Sequence, residues 1–164
     1  MTITLDPIGH VRGGRSELRD DDWGGVQAVI ELDPARFTEE ALLGLDAFSH
    51  AEIIFLFDRV PKDRIETGAR HPRGRTDWPR VGIFAQRGKN RPNRIGLTTC
   101  EVLRVESTRL YVRELDALDA APVLDIKPVM SGFAPRGALR EPAWARAIMA
   151  AYWERSPGAQ ADPS

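Results

Sequence analysis

The sequence has a single cysteine, Cys100, among its 164 residues, so no disulfide bond can form within the chain. A lone cysteine is typical of a reducing compartment. The sequence also lacks any apolar run of about 20 residues, the length that a membrane-spanning helix needs. Its N-terminus, MTITLDPIGH, has neither the basic region nor the apolar stretch of a signal peptide. These absences predict a cytoplasmic protein with no membrane partner.

The motifs of several common mechanisms are missing as well. No Gly-x-Gly-x-x-Gly stretch follows a strand-like run, and no P-loop is found. The histidines His10, His50 and His71 lack the spacing of metal ligands, so no metal site is predicted. His50 follows Ser49 without an evident acid partner, which favours a structural hydrogen bond over a nucleophile–base pair. Cys100 is interpreted as a core residue because it lies within a strand-like run.

The formal net charge of −1 hides a strongly basic segment. Between Arg59 and Arg94 there are eleven Lys and Arg against three Asp and Glu, a balance of +8, so the rest of the chain carries −9. The stretch GIFAQRGKNRPNRIG at 82–96 supplies four of these cations. Such a segment is either a solvated loop or a site for an anion: a phosphate, a carboxylate or a nucleic-acid backbone.

Short runs of alternating or apolar residues recur along the chain and are typical of β-strands. A small domain of such strands gains from closing into a barrel, since closure leaves no unpaired edge. We therefore predict a mainly β fold, a small antiparallel β-barrel of about six to seven strands. The predicted strands are 8–11, 26–32, 51–57, 81–87, 95–105, 109–115 and 123–129.

Two helices are predicted beside these strands. Thr38 is placed to cap a helix over 38–48, with two glutamates in its first turn. A C-terminal helix begins at Pro142, and its apolar stripe packs on the barrel or on a second subunit. We predict one domain over 1–155 and a disordered tail over 156–164. The stripe comprises Trp144, Ile148, Met149 and Tyr152.

A polar loop over 61–80 leads directly into the predicted strand that precedes 82–96. Loops of this length in compact domains are usually functional or disordered. The two basic segments flank one strand, so we expect them to share one mouth of the barrel. Elsewhere, Asp125 and Lys127 are two residues apart and point to the same face of a strand, either as a structural ion pair or beside a ligand. Asp119 is expected to accept backbone hydrogen bonds in a turn.

Four stretches in order resemble the TrmO/YaeB family, also called TsaA-like. IGHVR at 8–12 is similar to the family's first strand, and LDAFSHAEIIFLF at 45–57 is similar to its Phe-Ser-His strand. The stretch at 82–97 resembles the signature Gly-Val-Phe-Ala-Thr-Arg-Ser-x-x-Arg-Pro-Asn-Pro-Ile-Gly. LDAAPVLDIKP at 118–128 resembles Asp-Gly-Thr-Pro-Val-x-Asp-Ile-Lys-Pro.

The resemblance implies a non-Rossmann barrel that binds S-adenosyl-L-methionine and forms a homodimer. It also implies N6-methylation of threonylcarbamoyladenosine in tRNA. This chain departs from the family in several places. The signature's Ser, Phe and second Pro become Gly88, Asn90 and Arg94, and DDDWGG at 20–25 replaces an early Pro-Arg-Gln segment. Longer members of the family also carry a C-terminal domain.

The resemblance assigns residues to three roles in this sequence. Asp125 and His50 are candidate catalytic bases by location alone. Lys89, Asn93, Arg94 and Lys127 are assigned to the methyl acceptor. The residues assigned to the cofactor are Trp23, Gly24, Gly25, Phe57, Asp58, Arg87, Arg91, Leu97, Asp119, Ala120, Ala121 and Pro122.

Three functions follow from this reading of the sequence. The first is methylation of a modified tRNA adenosine or a related nucleoside. The second is methylation of a small molecule on the same fold. The third is a non-catalytic barrel that binds S-adenosylmethionine or RNA. The basic segment 59–94 favours a polyanion partner, whose affinity would fall steeply with salt concentration.

Overall fold

The computed structural model describes residues 1–155. The strands in this range are β1 Gly9–Arg12, β2 Gln27–Leu32, β3 His50–Leu56, β4 Ala69–Arg70, β5 Val81–Gly82, β6 Ile95–Glu106, β7 Arg109–Arg113 and β8 Pro122–Pro128. Six of them form a closed antiparallel barrel in the order β1-β2-β7-β6-β3-β8, and a separate two-stranded ribbon pairs β4 with β5. The prediction of a small antiparallel barrel is therefore confirmed, whereas the tail 156–164 lies outside the described residues.

The barrel interior is filled by alternate residues of the strands, as a period of two requires. In β2, Ala28, Ile30 and Leu32 are buried while the residues between them are more exposed. Cys100 in β6 is 1% exposed, which confirms it as a core residue. Burial raises the pKa of its thiol, since the thiolate would lose its hydration there. Other interior residues are Val11, Ala51, Ile53, Phe55, Leu110, Val112 and Val123.

The predicted strand over 81–87 is wrong after its second residue. The chain leaves β5 at Gly82 and makes a 3₁₀ turn over Ile83–Ala85. Ile83 is buried, and the side-chain amide of Gln86 donates to the carbonyl oxygens of Arg70 and Val81 at 3.2 and 3.1 Å. These two side-chain bonds stabilise the turn in place of a strand. The alternation of apolar residues in the sequence could not reveal them.

The predicted helix over 38–48 is also wrong, because the segment forms two 3₁₀ turns, Glu39–Leu42 and Leu45–Ala47. Gly44 lies between them with a φ of 82°, a conformation that ends a helix. Thr38 precedes the first turn but makes no side-chain capping bond. Further 3₁₀ turns are Lys62–Arg64, Pro72–Gly74 and Ser131–Phe133.

The C-terminal helix is present as α1, Ala143–Ile148, directly after Pro142. Of the predicted apolar stripe, Trp144 and Ile148 are half-buried and Met149 is exposed. After the helix, residues 151–155 pack against the segment around Trp23, as the backbone bonds described below show. Among residues 1–155, no helix has the length and apolar character needed to cross a membrane.

Gly96 is a direct test of the barrel packing. It pairs with Phe55 in the β3–β6 ladder, and a Cβ atom at Gly96 would lie 2.4 Å from the Phe55 ring. We expect Gly96→Ala to lower the free energy of unfolding by about 1–3 kcal/mol, because the buried ring must shift. Gly82→Ala is the control, since nothing lies within 4 Å of its Cβ position. Urea unfolding of both variants measures the difference, and equal stabilities would contradict this packing.

Candidate functional site

One rim of the barrel carries three long loops. Neighbouring strands are antiparallel, so β1, β3 and β7 end at the rim where β2, β6 and β8 begin. The connections at this rim are loop A (13–26), loop B (57–94) and loop C (114–121). The cations of both basic segments belong to loop B. The prediction that the two segments share one mouth of the barrel is therefore confirmed.

Hydrogen bonds through Asp119 join the three loops to one another. The Asp119 carboxylate accepts from the backbone N–H of Gly13 at 2.9 Å, which confirms the predicted backbone bonding. Its own N–H donates to the carbonyl oxygen of Arg15 at 2.9 Å. The Arg59 guanidinium in turn donates to the Asp119 carbonyl at 2.7 Å. Loops A, B and C therefore meet around Asp119, which belongs to the stretch that resembles the family's Asp-Gly-Thr-Pro motif.

Arginines of loop B bond mainly to backbone carbonyl oxygens. Arg87 donates to Leu97 at 2.5 Å, and Arg91 donates to Gln86 at 3.1 Å. Arg94 donates to Val60 at 3.1 Å. Gln86 and Val60 lie in irregular backbone, whose carbonyl groups lack ladder partners, and Leu97 lies in β6. These charge-assisted bonds therefore hold loop B in one conformation and attach it to the barrel.

Two further cations of loop B pair with the acidic turn of loop A. Arg73 makes two bonds to the Asp21 carboxylate, at 2.9 and 2.7 Å. These bonds raise the pKa of Arg73. Lys89 lies 3.4 Å from the Asp20 carboxylate. Part of the positive charge that the sequence places in loop B is thus balanced within the chain.

Trp23 in loop A is 4% exposed, so its ring is enclosed in this structure. The Arg15 guanidinium lies over the ring at 4.0 Å from its centroid and also donates to the Asp21 carbonyl at 2.8 Å. The backbone N–H groups of Trp23 and Gly24 donate to the carbonyl oxygens of Tyr152 and Glu154 at 2.8 and 2.9 Å. The ring of Trp23, one of the residues assigned to the cofactor, is therefore covered by protein groups.

Sequence reasoning missed a polar cluster beside this rim. The Asp116 carboxylate of loop C accepts hydrogen bonds from the hydroxyl groups of Thr98 in β6 and Tyr152. Burial, together with the nearby Asp116 charge, raises the pKa of the Tyr152 phenol. The three residues are far apart in the sequence and match no motif, so no signal in the sequence pointed to them.

The structure brings the twelve residues assigned to the cofactor to this one rim. They lie in the three loops or, for Leu97 and Pro122, in the first residues of β6 and β8. Three of the residues assigned to the methyl acceptor are also in loop B, namely Lys89, Asn93 and Arg94.

Asp125, Lys127 and His50 lie toward the opposite end of the barrel. There the Lys127 ammonium pairs with the Asp125 carboxylate at 2.7 Å, and His50 Nδ1 lies 2.9 Å from the Ser49 hydroxyl oxygen. Asp125 also lines an apolar cleft with Phe37 and Leu42 at that end. The two candidate bases are therefore separated from the residues assigned to the cofactor.

The fold and the rim together define a class of protein: a small closed β-barrel whose polar loops gather at one end. The sequence profile of the tRNA-methyltransferase O N-terminal domain family matches residues 21–134. The chain belongs to this family. A crystal structure of TrmO from Pseudomonas aeruginosa is similar to it, with a TM-score of 0.70 and 30% identity over 88% of this chain and 62% of that one.

Relatives from three kinds of organism are similar in sequence. The RcsF protein of Pseudomonas aeruginosa is 36% identical over 133 residues, 78% of this chain and 55% of its own. An S-adenosyl-L-methionine-binding protein of Archaeoglobus fulgidus is 36% identical over 127 residues, 76% of this chain and 88% of its own. The tRNA (adenine(37)-N6)-methyltransferase of Mus musculus is 36% identical over 95 residues, 58% of this chain and 22% of its own. The chain thus spans about half the length of RcsF.

Ala120 offers a test of the loop C turn. It has a φ of 67°, in the left-handed region that favours glycine, and the resembled motif has Gly at this position. We expect Ala120→Gly to raise the free energy of unfolding by about 0.5–1 kcal/mol, because relief of the strain exceeds the added chain entropy. Ala69→Gly in β4 should instead lower it. Thermal unfolding measures both, and destabilisation by Ala120→Gly would contradict the turn geometry.

Proposed function

We propose that this protein is an S-adenosylmethionine-dependent methyltransferase whose cofactor site is the rim of loops A, B and C. The observation that carries the proposal is the convergence of all twelve residues assigned to the cofactor on one rim of the barrel. The Archaeoglobus relative, an S-adenosyl-L-methionine-binding protein, supports the cofactor, and the mouse relative, a tRNA methyltransferase, supports the reaction class. S-adenosylmethionine supplies an electrophilic methyl group when it is bound.

The residues at the rim fit the chemistry of this cofactor. Its carboxylate needs a cationic donor, and Arg87 is exposed with a guanidinium that has N–H groups beyond the one bonded to Leu97. A second cation of loop B, Arg70, has a buried Nε atom without a hydrogen-bond partner in residues 1–155. In the proposed site the adenine lies against the turn of loop C, where Ala120 is exposed. The chain's own contribution is to orient the two reactants and exclude water.

The methyl acceptor that we propose is a modified adenosine of tRNA, threonylcarbamoyladenosine. Loop B supports an RNA partner because several of its exposed cations make no ion pair within residues 1–155. These cations are free to approach phosphates. Lys89, Asn93 and Arg94 lie in the same loop, where the acceptor would meet the cofactor. The exposed cations are Lys62, Arg64 and Arg80.

A homodimer and a cytoplasmic location belong to the same proposal. The outer face of β3 and β6 exposes apolar side chains next to the rim, with Ile95 38% and Leu97 42% exposed. Leu56 and Ile54 pair with them across the ladder and are half-buried. A second copy seated on this face would bury it beside the Arg87 guanidinium.

One observation favours a second candidate, a barrel that binds S-adenosylmethionine without transferring its methyl group. The Archaeoglobus relative, most of whose length this chain covers, is named only as a binding protein. A related candidate is methylation of a small molecule on the same fold. Both candidates keep the cofactor site, but the first has no methyl acceptor and the second has a small molecule as its acceptor.

Methyl transfer to tRNA separates these candidates. Purified protein is incubated with S-adenosylmethionine labelled in the methyl group and with tRNA that carries threonylcarbamoyladenosine. The control is the same tRNA without the threonylcarbamoyl group. We expect label in the modified tRNA alone. If cofactor binds but neither tRNA acquires label, the tRNA reaction is contradicted and the binding or small-molecule candidate takes its place.

Arg87→Ala tests the cofactor site itself. Loss of a charged hydrogen bond should weaken binding of S-adenosylhomocysteine by about 10- to 100-fold. Arg104→Ala at the far end of β6 is the control and should bind normally. Calorimetry measures affinity, and circular dichroism checks that both variants are folded. A folded Arg87→Ala protein with unchanged affinity would remove Arg87 from the site.

A further inference from the structure

Arg70 differs from the other arginines of loop B because part of its guanidinium group is buried and yet has no bonding partner. Its Nε atom is buried and unbonded, and no hydrogen bond or ion pair of its side chain is found within residues 1–155. By contrast, Arg59, Arg87, Arg91 and Arg94 all donate to carbonyl oxygens. A buried charged donor without an acceptor lowers stability, so its retention needs an explanation.

The backbone of Arg70 is fixed against the signature stretch. Arg70 lies in β4 and pairs with Val81 of β5. Its carbonyl oxygen accepts from the side-chain amide of Gln86, the residue before Arg87. The position of Arg70 is therefore set by ordered neighbours, and its unbonded state does not come from a loose loop end.

Gly88 leaves room for the Arg70 side chain. A Cβ atom at position 88 would lie 3.0 Å from Arg70 Nη2, and no other heavy atom beyond its chain neighbours lies within 4 Å of that point. The family signature that this stretch resembles has Ser at this position. Gly88 lacks the serine side chain, which leaves the space in front of the Arg70 guanidinium empty of protein atoms. The glycine and the unbonded arginine form one feature, a cationic donor next to an open position.

We propose that Arg70 binds an anionic group of a ligand, and that Gly88 keeps the approach to it open. This inference rests on the proposed function, which offers two anions at this rim: the carboxylate of S-adenosylmethionine and a phosphate of the RNA acceptor. Either anion accepts two parallel N–H bonds from a guanidinium. Arg87 and Arg91 each donate one hydrogen bond to a carbonyl oxygen, whereas the N–H groups of the Arg70 side chain are unbonded.

The test compares wild type with Arg70→Met, which keeps much of the side-chain length and removes the donors. Calorimetry measures S-adenosylmethionine and its decarboxylated analogue, which keeps the sulfonium and the amine but lacks the carboxylate. Binding of tRNA is measured over a series of salt concentrations. Arg104→Met is the control for loss of one positive charge and should resemble wild type in all three titrations.

If the anion is the carboxylate, Arg70→Met weakens S-adenosylmethionine binding by about tenfold or more and leaves the decarboxylated analogue unchanged. If it is a phosphate, S-adenosylmethionine binds as in wild type, tRNA binding weakens, and the salt slope falls by about one. Thermal unfolding adds an independent readout. Ligand-free Arg70→Met should have a higher Tm, because an unpaired buried donor is gone.

Two outcomes would overturn the assignment of Arg70 alone. One is wild-type affinity for all three ligands in Arg70→Met. The other is an equal loss for S-adenosylmethionine and its analogue with a lower Tm, which would indicate a structural role. If wild type itself binds neither S-adenosylmethionine nor tRNA, the proposed function fails and the assignment of Arg70 fails with it.

Discussion

The rim of loops depends on hydrogen bonds from arginine side chains to backbone carbonyl oxygens. The barrel satisfies its own backbone through closed ladders, but loop B runs for 38 residues between β3 and β6 with one short ribbon and three 3₁₀ turns. Carbonyl groups in such a segment need partners, and a guanidinium with five N–H donors supplies them without a regular strand. Arg91 and Arg94 bond to carbonyl oxygens of loop B in this way, and Arg59 joins loop B to Asp119 of loop C. The loop is therefore ordered by its own cations.

This use of charge changes the meaning of the basic segment. A balance of +8 over 59–94 suggests a surface for a polyanion, yet Arg73 and Lys89 pair with the acidic turn of loop A. What remains for a ligand is a smaller and more specific set of cations. Arg87 has N–H groups that are not hydrogen-bonded, and the Arg70 guanidinium has no bonding partner within residues 1–155. The ligand site that we propose uses arginines whose donors the fold leaves unbonded.

Much of the fold could be predicted from the sequence, because strands in a closed barrel alternate between core and solvent. The same pattern failed at 81–87, where the Gln86 side chain bonds to carbonyl oxygens and stabilises a turn. The Asp119 turn was predicted because short polar side chains bond to nearby backbone. Asp116 and Arg70 were not singled out, since their roles depend on partners, or on a missing partner, that only the folded chain reveals.

The central claim is that the rim binds S-adenosylmethionine, and calorimetry of the purified protein tests it most directly. The protein is titrated with S-adenosylmethionine and then with S-adenosylhomocysteine, and circular dichroism establishes that it is folded. We expect saturable binding of both ligands at about one per chain. Folded protein that binds neither ligand would contradict the claim, and would mean that this chain keeps the barrel of its family without the cofactor site.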